Sequence, residues 1–235
     1  MKAFEIRAKA REALKGQWGK VILLLVIYFI ITFVLSFVLA FIPFIGAIVN
    51  YIITIPLVVG ITASIMKIAR REEFSYFEFV NIAIELFGKS WGVVGHILLK
   101  MLLPVILLIV SIVLMGAGMG MAVLGETSTL AIIAILLYIV ALVYVAVKGM
   151  LFYLANNILI DNPEMSTKDI VEKSASLMNG NRWKLICLEL SFIGWAFLAG
   201  LTFGIGCIWL IPYMAISQVF FYMALVQKNE TVVEE

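Results

Sequence analysis

Residues 74–91 read FSYFEFVNIAIELFGKSW, an 18-residue unit that ends in a tryptophan and directly precedes a long apolar segment. Related units occupy residues 1–18 and, with one extra residue, 165–183, and each of them also stands before a pair of apolar segments. The distance from the expected capping position to the tryptophan is 16, 16 and 17 residues in the three units. This recurrence favours an internal repeat, although any amphipathic helix shares part of the pattern.

Each unit carries signals for the start of a helix. Ser75 with Glu78, and Ser166 with Asp169, have the spacing of a capping box, in which two side chains satisfy free backbone N–H groups reciprocally. In the first unit Lys2 stands where the capping serine would be. We therefore expect a short amphipathic helix, lying in the plane of the membrane surface, before each apolar pair.

The composition points to lipid as the solvent of this chain. Hydrophobic residues make up 64% and charged residues 14% of the 235 residues, against roughly 45–50% and about 25% in soluble domains. The net charge of +2 gives no general electrostatic field for nucleic acid. Because a zinc site needs several nitrogen or sulfur ligands, the single histidine, His96, predicts no metal site, and we expect no cofactor.

The apolar pattern predicts six membrane spans, since about 20 apolar residues cross a bilayer. Pro43 and Gly46 separate the first two spans in a tight turn. Pro56 and Pro212 interrupt the second and sixth spans, either as kinks that serve packing or as breaks that line a substrate path. The predicted spans cover residues 20–42, 44–66, 92–115, 130–155, 184–203 and 205–226.

Charge asymmetry predicts the orientation of the spans. Lysine and arginine residues gather in the N-terminal segment, in the loops after spans two and four, and in the C-terminal tail, and they are absent from the other three loops. Because cytoplasmic loops carry the excess of these residues, both termini are expected to be cytoplasmic. The chain is thus predicted to be a multi-pass protein of the cell membrane.

These patterns together predict an all-α polytopic membrane protein. Six transmembrane helices form three helical hairpins, and a cytoplasmic amphipathic interfacial helix precedes each hairpin. We expect one integral membrane domain over residues 1–235. Its predicted repeats cover approximately residues 1–66, 74–160 and 165–227.

Two sets of residues are expected to serve the membrane or helix packing. Tryptophan prefers the membrane–water interface, so the tryptophans that end the units are predicted to be interface anchors, with stacking on a ligand as the alternative. A small residue at every fourth position lets two helices approach closely, within the chain or between chains. The anchors are Trp18, Trp91 and Trp183, and the packing stripe is Ala196, Gly200 and Gly204.

Three charged residues inside the spans are candidates for a binding site. Lys100, Lys148 and Glu189 are predicted to lie at similar depth on the same side of the membrane, and charges at that depth are costly and often functional. A carboxylate between two ammonium groups would be stabilised by them. The alternatives are lysines that extend to the headgroups, an anionic-ligand or lipid-headgroup site, and a transport path.

Several stretches near both ends of the chain form recognisable motifs: residues 10–19, 160–166, 174–178, 180–184, 190–195, 204–206, 209, 212–213 and 221–222. They resemble the motifs of a bacterial integral membrane family called domain of unknown function 975 (DUF975). The resemblance implies a multi-span bacterial membrane protein with no established activity. Span four departs from the family, because Val147-Lys-Gly149 stands where the family has an Ile-Pro-Gly-like break.

Three classes of function fit these observations. The first is a non-enzymatic membrane protein that binds a lipid, a peptide or a membrane partner in the bacterial cell envelope. The expected partner would be a second copy of the chain or another membrane protein. The second is a transporter of small molecules or peptides, which should have a polar path through its spans. The third is a membrane enzyme acting on lipids, which should have a metal cluster or a paired acid and base.

Overall fold

The computed structural model describes residues 2–42, 44–123 and 129–233. These residues form eleven α-helices and one 3-10 turn, Met150–Phe152, and no strand. Pro43, predicted to shape the first turn between spans, lies outside the described residues. The helices are α1 (Ala3–Leu14), α2 (Trp18–Ala40), α3 (Ile45–Ala69), α4 (Glu78–Glu85), α5 (Phe87–Val123), α6 (Thr129–Gly149), α7 (Ala155–Asp161), α8 (Thr167–Met178), α9 (Arg182–Leu190), α10 (Ile193–Leu201) and α11 (Cys207–Val233).

Six helical segments are long and apolar enough to cross a membrane, which confirms the all-α, six-span prediction. Large apolar side chains on these segments are exposed, for example Phe33 at 59%, Leu99 at 71% and Val140 at 65%. A surface of this kind is stable only in an apolar solvent. The segments cover Trp18–Ala40, Ile45–Ala69, Phe87–Gly120, Ala131–Asp161, Arg182–Leu201 and Cys207–Asn229.

The fifth span is not the single continuous helix that the sequence predicted over residues 184–203. Helix α9 ends at Leu190, and Ser191 Oγ donates to the Leu188 carbonyl over 2.6 Å. Arg7, from the opposite end of the chain, donates from Nη1 to the Ser191 carbonyl over 3.2 Å. Because the Arg7 guanidinium takes up a carbonyl that the end of α9 leaves without an intrahelical partner, the bend is stabilised from outside the span.

A separate helix precedes each of the three tryptophans, and the amphipathic, interfacial character predicted for these helices stays a prediction. Helix α1 ends just before Trp18, and α8 ends just before the helix that contains Trp183. Helix α4 ends one turn earlier, so Trp91 lies inside the first turns of α5. The three helices α1, α4 and α8 each bury one face, through Ile6, Phe79 and Ile170 among others.

The helix starts agree with the capping prediction in one unit and correct it in another. Ser166 caps α8, and its Oγ accepts the Asp169 N–H over 3.2 Å. The prediction that the Ser75 side chain caps α4 is wrong, since that helix begins at Glu78 and its N-cap is Phe77. The return contact is nevertheless present, because Glu78 Oε2 accepts the Ser75 N–H over 3.3 Å. In the first unit Glu5 accepts the Lys2 N–H over 2.9 Å.

Consecutive spans contact each other in all three pairs: α2 with α3, α5 with α6, and α10 with α11. Each contact includes a glycine at which an added Cβ would overlap the neighbouring helix. That atom would lie 1.9 Å from Leu39 O at Gly46, 2.7 Å from Ala131 N at Gly118, and 2.8 Å from Ala199 Cα at Gly206. The arrangement of the spans as three hairpins, and their placement across a membrane, stay predictions.

The predicted small-residue stripe makes no such contact within the chain. Ala196 is exposed, and a Cβ added at Gly200 or Gly204 would have no atom within 4 Å. Gly204 also lies beyond the end of α10, in a turn with φ +87°. Ala199, next to Gly200, is buried and makes the close contact with Gly206. A role between chains stays a prediction.

The short helices connect the three units in a ring. Helix α4 packs on α3 of the preceding unit, α8 packs on α5, α7 and the 3-10 turn, and α1 closes the ring by packing on α11 of the last unit. The buried core lies where these elements meet and includes Phe79, Leu154, Leu188 and Tyr222. We call this end of the molecule, which carries α1, α4 and α8 and the loops around them, the basic side. Three repeated units would produce this order, and the repeat itself stays a prediction.

Candidate functional site

None of the three charged candidates forms an ion pair with another among the residues that the structure describes. Lys100 Nζ lies 3.3 Å from Glu172 Oε1 on α8, and Lys148 Nζ lies 5.8 Å from the centre of the Tyr144 ring. That Glu189 faces one of these lysines stays a prediction.

Glu189 instead connects three segments through neutral donors. Its Oε1 accepts the Tyr153 hydroxyl over 3.2 Å and the Gln218 amide over 3.1 Å. These partners belong to the segment after the 3-10 turn and to α11. The two hydrogen bonds stabilise the junction of α9 with its neighbours and supply donors to a carboxylate that lies inside a span.

The three tryptophans have different environments. Trp183 is 70% exposed, as an interface anchor would be, while Trp18 packs partly buried against the core. Trp91 donates from its indole nitrogen to the Ile52 carbonyl over 3.2 Å. This carbonyl has no helical partner because Pro56, four residues on, lacks an N–H. Trp91 therefore supplies the hydrogen-bond donor that the Ile52 carbonyl lacks within its own helix. The role of all three tryptophans as interface anchors stays a prediction.

Ion pairs join the units on the basic side. Lys67 pairs with Glu78, and Arg70 Nη2 lies 2.7 Å from Asp161 Oδ2, which also accepts the hydroxyl of the buried Tyr222 over 2.9 Å. The hydrogen bond with Asp161 raises the pKa of Arg70. The hydrogen bond from Lys67 lowers the pKa of the Glu78 carboxyl. These contacts fix α3 to α4 and to the end of α7.

A cavity of about 290 Å³ lies between α1, α9 and α11 on the basic side. Its apolar wall comes from the last turns of α11 and from α1, and its polar part from two lysines and a glutamine. Lys184 Nζ donates to Asn181 Oδ1 over 2.8 Å, which holds the ammonium near the start of α9. The cavity is lined by Ile6, Lys184, Phe221, Ala224, Leu225, Gln227 and Lys228.

This arrangement of groups fits the headgroup region of a lipid. An ammonium beside apolar wall can hold an anionic group while the adjoining chain lies on the aliphatic and aromatic side chains. The exposed Trp183 directly precedes Lys184, so a tryptophan at the membrane–water interface would bring the cavity to the depth of the headgroups. In the sequence Lys184 contributes only to the predicted orientation. Its position next to Trp183 was the local signal that could have indicated a headgroup site.

The comparisons with known proteins give a family and no relative of known activity. A family model described as "Protein of unknown function (DUF975)" matches residues 1–229. This match confirms the resemblance found in the sequence. No curated protein and no solved structure matches the chain.

Proposed function

Because the chain belongs to the DUF975 family and has six helices long and apolar enough to cross a membrane, we propose that it binds an anionic lipid without chemical turnover. Its location would be the bacterial cytoplasmic membrane, with both termini in the cytoplasm. The lysine and arginine distribution supports this orientation. The bound lipid would lie in the inner leaflet, with its headgroup on the basic side.

One observation supports this proposal above the others, namely the cavity that holds Lys184 against an apolar wall. With a volume of about 290 Å³ it matches the lower end of ligand pockets, which suits a headgroup and its first chain atoms rather than a whole lipid. Lys184 is half-buried and its ammonium is held by Asn181, so little side-chain entropy remains to be lost on binding. Basic pockets between spans on this side of a membrane are suited to anionic headgroups.

The proposal predicts that anionic lipid stabilises the fold. Thermal unfolding in a neutral detergent would be followed while short-chain phosphatidylglycerol or phosphatidylcholine is added. A ligand present at 100 times its Kd stabilises the folded state by about 2.7 kcal/mol, so phosphatidylglycerol should raise the Tm. Phosphatidylcholine, which has no net charge, should raise it much less.

Two variants test the position of the site. Lys184→Gln should remove most of the difference between the two lipids, whatever its effect on the Tm without lipid. Lys173→Gln is the matched control, because Lys173 is also half-buried and lies on α8, away from the cavity. Equal stabilisation by both lipids, or an unchanged difference in Lys184→Gln, would exclude this site.

A further inference from the structure

We propose that a second cleft on the basic side, between α1, the end of α3 and α11, binds a phosphate group through Arg71 and Lys9. The phosphate would be either free in solution or part of a lipid headgroup. This cleft shares no lining residue with the cavity at Lys184. The inference therefore stands independently of the proposed function.

The first argument is the unusual residue at the end of α3. The Arg71 N–H donates to the Ile68 carbonyl over 3.1 Å, and the Glu72 N–H donates to the Lys67 carbonyl over 2.9 Å. These two bonds form a Schellman motif, whose left-handed position is usually glycine. Here that position is Arg71, with φ +60°.

A left-handed conformation costs free energy for any residue with a Cβ. Glycine would form the same turn without that cost. Backbone strain of this kind clusters at functional sites, and among the described residues other than glycine it is shared by Phe44 and Phe203, which carry no charge. The turn itself does not need arginine. We therefore infer that the guanidinium of Arg71 serves a purpose other than the turn.

The second argument is the surroundings of that guanidinium. The cleft has a volume of about 620 Å³, with an apolar floor and three cationic side chains against one carboxylate. Arg71 Nη2 lies 3.5 Å from the Glu12 carbonyl oxygen, at the outer limit of a hydrogen bond. The lining residues are Lys9, Glu12, Ala13, Ala69, Arg70, Arg71, Phe220 and Met223.

The charges of the cleft are not all neutralised within the protein. Arg70 is paired with Asp161, whereas neither Lys9 nor Arg71 forms an ion pair with any residue that the structure describes. Two cations at one cleft repel each other, and an anion between them removes that repulsion. The guanidinium fork matches two phosphate oxygens, and the lysine adds a point charge.

Replacement of Arg71 by glycine separates binding from folding. Glycine suits the left-handed turn, so Arg71→Gly should unfold at the same temperature as the wild type or higher when no phosphate is present. Its apparent affinity for phosphate should fall about tenfold or more, because a charge-assisted contact is lost. Lys9→Gln should weaken binding as well. Lys15→Gln, an exposed lysine at the end of α1, is the matched control and should bind as the wild type does.

The probes are inorganic phosphate and, in a parallel series, short-chain phosphatidic acid, each compared with chloride at equal ionic strength by thermal unfolding. Stabilisation by inorganic phosphate identifies a soluble ligand, and stabilisation by phosphatidic acid alone identifies a headgroup. Either result supports the proposal if Arg71→Gly abolishes it. It is overturned if neither probe stabilises the wild type, or if Arg71→Gly keeps the full effect. Lys184→Gln should retain the phosphate response, so failure here does not imply failure of the lipid site.

Discussion

The contact between α3 and α4 gives the sharpest prediction of a stability change. A Cβ added at Gly60 would lie 2.0 Å from the Phe79 carbonyl oxygen and 2.9 Å from its carbonyl carbon. Real Cβ atoms essentially never approach other atoms below 3.0 Å. Since both obstructing atoms belong to a backbone, a side-chain rotation cannot relieve the overlap. Gly60→Ala must therefore move α4 away from α3 by about an ångström.

The expected cost follows from what that movement disturbs. Phe79 and Ala83 on α4 are 0% and 4% exposed, so separating the helices loosens a packed face. Overpacking of this kind costs typically about 1–3 kcal/mol, and a rigid backbone contact belongs at the upper end of that range. Alanine recovers up to about 1 kcal/mol through its helix preference over glycine. The net expectation is a loss of about 2 kcal/mol.

A matched control is available within the same fold. Gly95 lies inside α5, and a Cβ added there would have no atom within 4 Å, so Gly95→Ala should be neutral or stabilising by up to about 1 kcal/mol. Thermal unfolding of both variants in the same detergent would measure the difference. For a chain of this size about 2 kcal/mol corresponds to a Tm lower by roughly 4–8 °C. A Gly60→Ala protein as stable as Gly95→Ala would refute the close approach of α4 to α3.

Three further predictions concern single contacts. Ser166→Ala should lower the free energy of unfolding by about 1 kcal/mol through loss of the α8 cap, whereas Ser75→Ala, which removes no cap bond, should change it little in the same denaturation assay. Trp91→Phe should cost about 1 kcal/mol, because the Ile52 carbonyl loses its donor, and an unchanged stability would contradict that bond. The pKa of Glu78 is lowered in the folded state by its lysine partner. The stability from this contact is therefore complete at neutral pH and is lost as the pH falls from about 4.3. In unfolding measured against pH, the Glu78→Gln variant should lack this loss of stability in acid.

Hydropathy alone was enough to predict the number and approximate position of the spans, because burial in lipid depends on the length of an apolar run rather than on its neighbours. The start of α8 was also predictable, since Ser166 with Asp169 is a local capping signal. The sequence likewise indicated that Pro56 frees a carbonyl. The residue that satisfies this carbonyl, Trp91, could not be identified, because it lies 39 residues from Ile52.

The candidate site was less predictable because its contacts join distant parts of the chain. Arg7 donates to the Ser191 carbonyl, at the break between α9 and α10, from 184 residues away. Lys184 follows Trp183, which was a local signal, whereas Arg71 forms no pattern with its sequence neighbours that distinguishes a binding residue from a charge that sets orientation. The left-handed conformation of Arg71, which favours glycine, is evident only from the backbone angle φ.

The central claim is that an anionic lipid headgroup binds beside Lys184, and counting bound lipids tests it most directly. Native mass spectrometry of the wild type, Lys184→Gln and Lys173→Gln would be carried out from micelles that contain equal amounts of phosphatidylglycerol and phosphatidylcholine. We predict that the wild type and Lys173→Gln retain one more phosphatidylglycerol than Lys184→Gln does, with phosphatidylcholine retention equal in all three. Equal retention of phosphatidylglycerol by all three proteins, or no preference for it over phosphatidylcholine in the wild type, would contradict the claim.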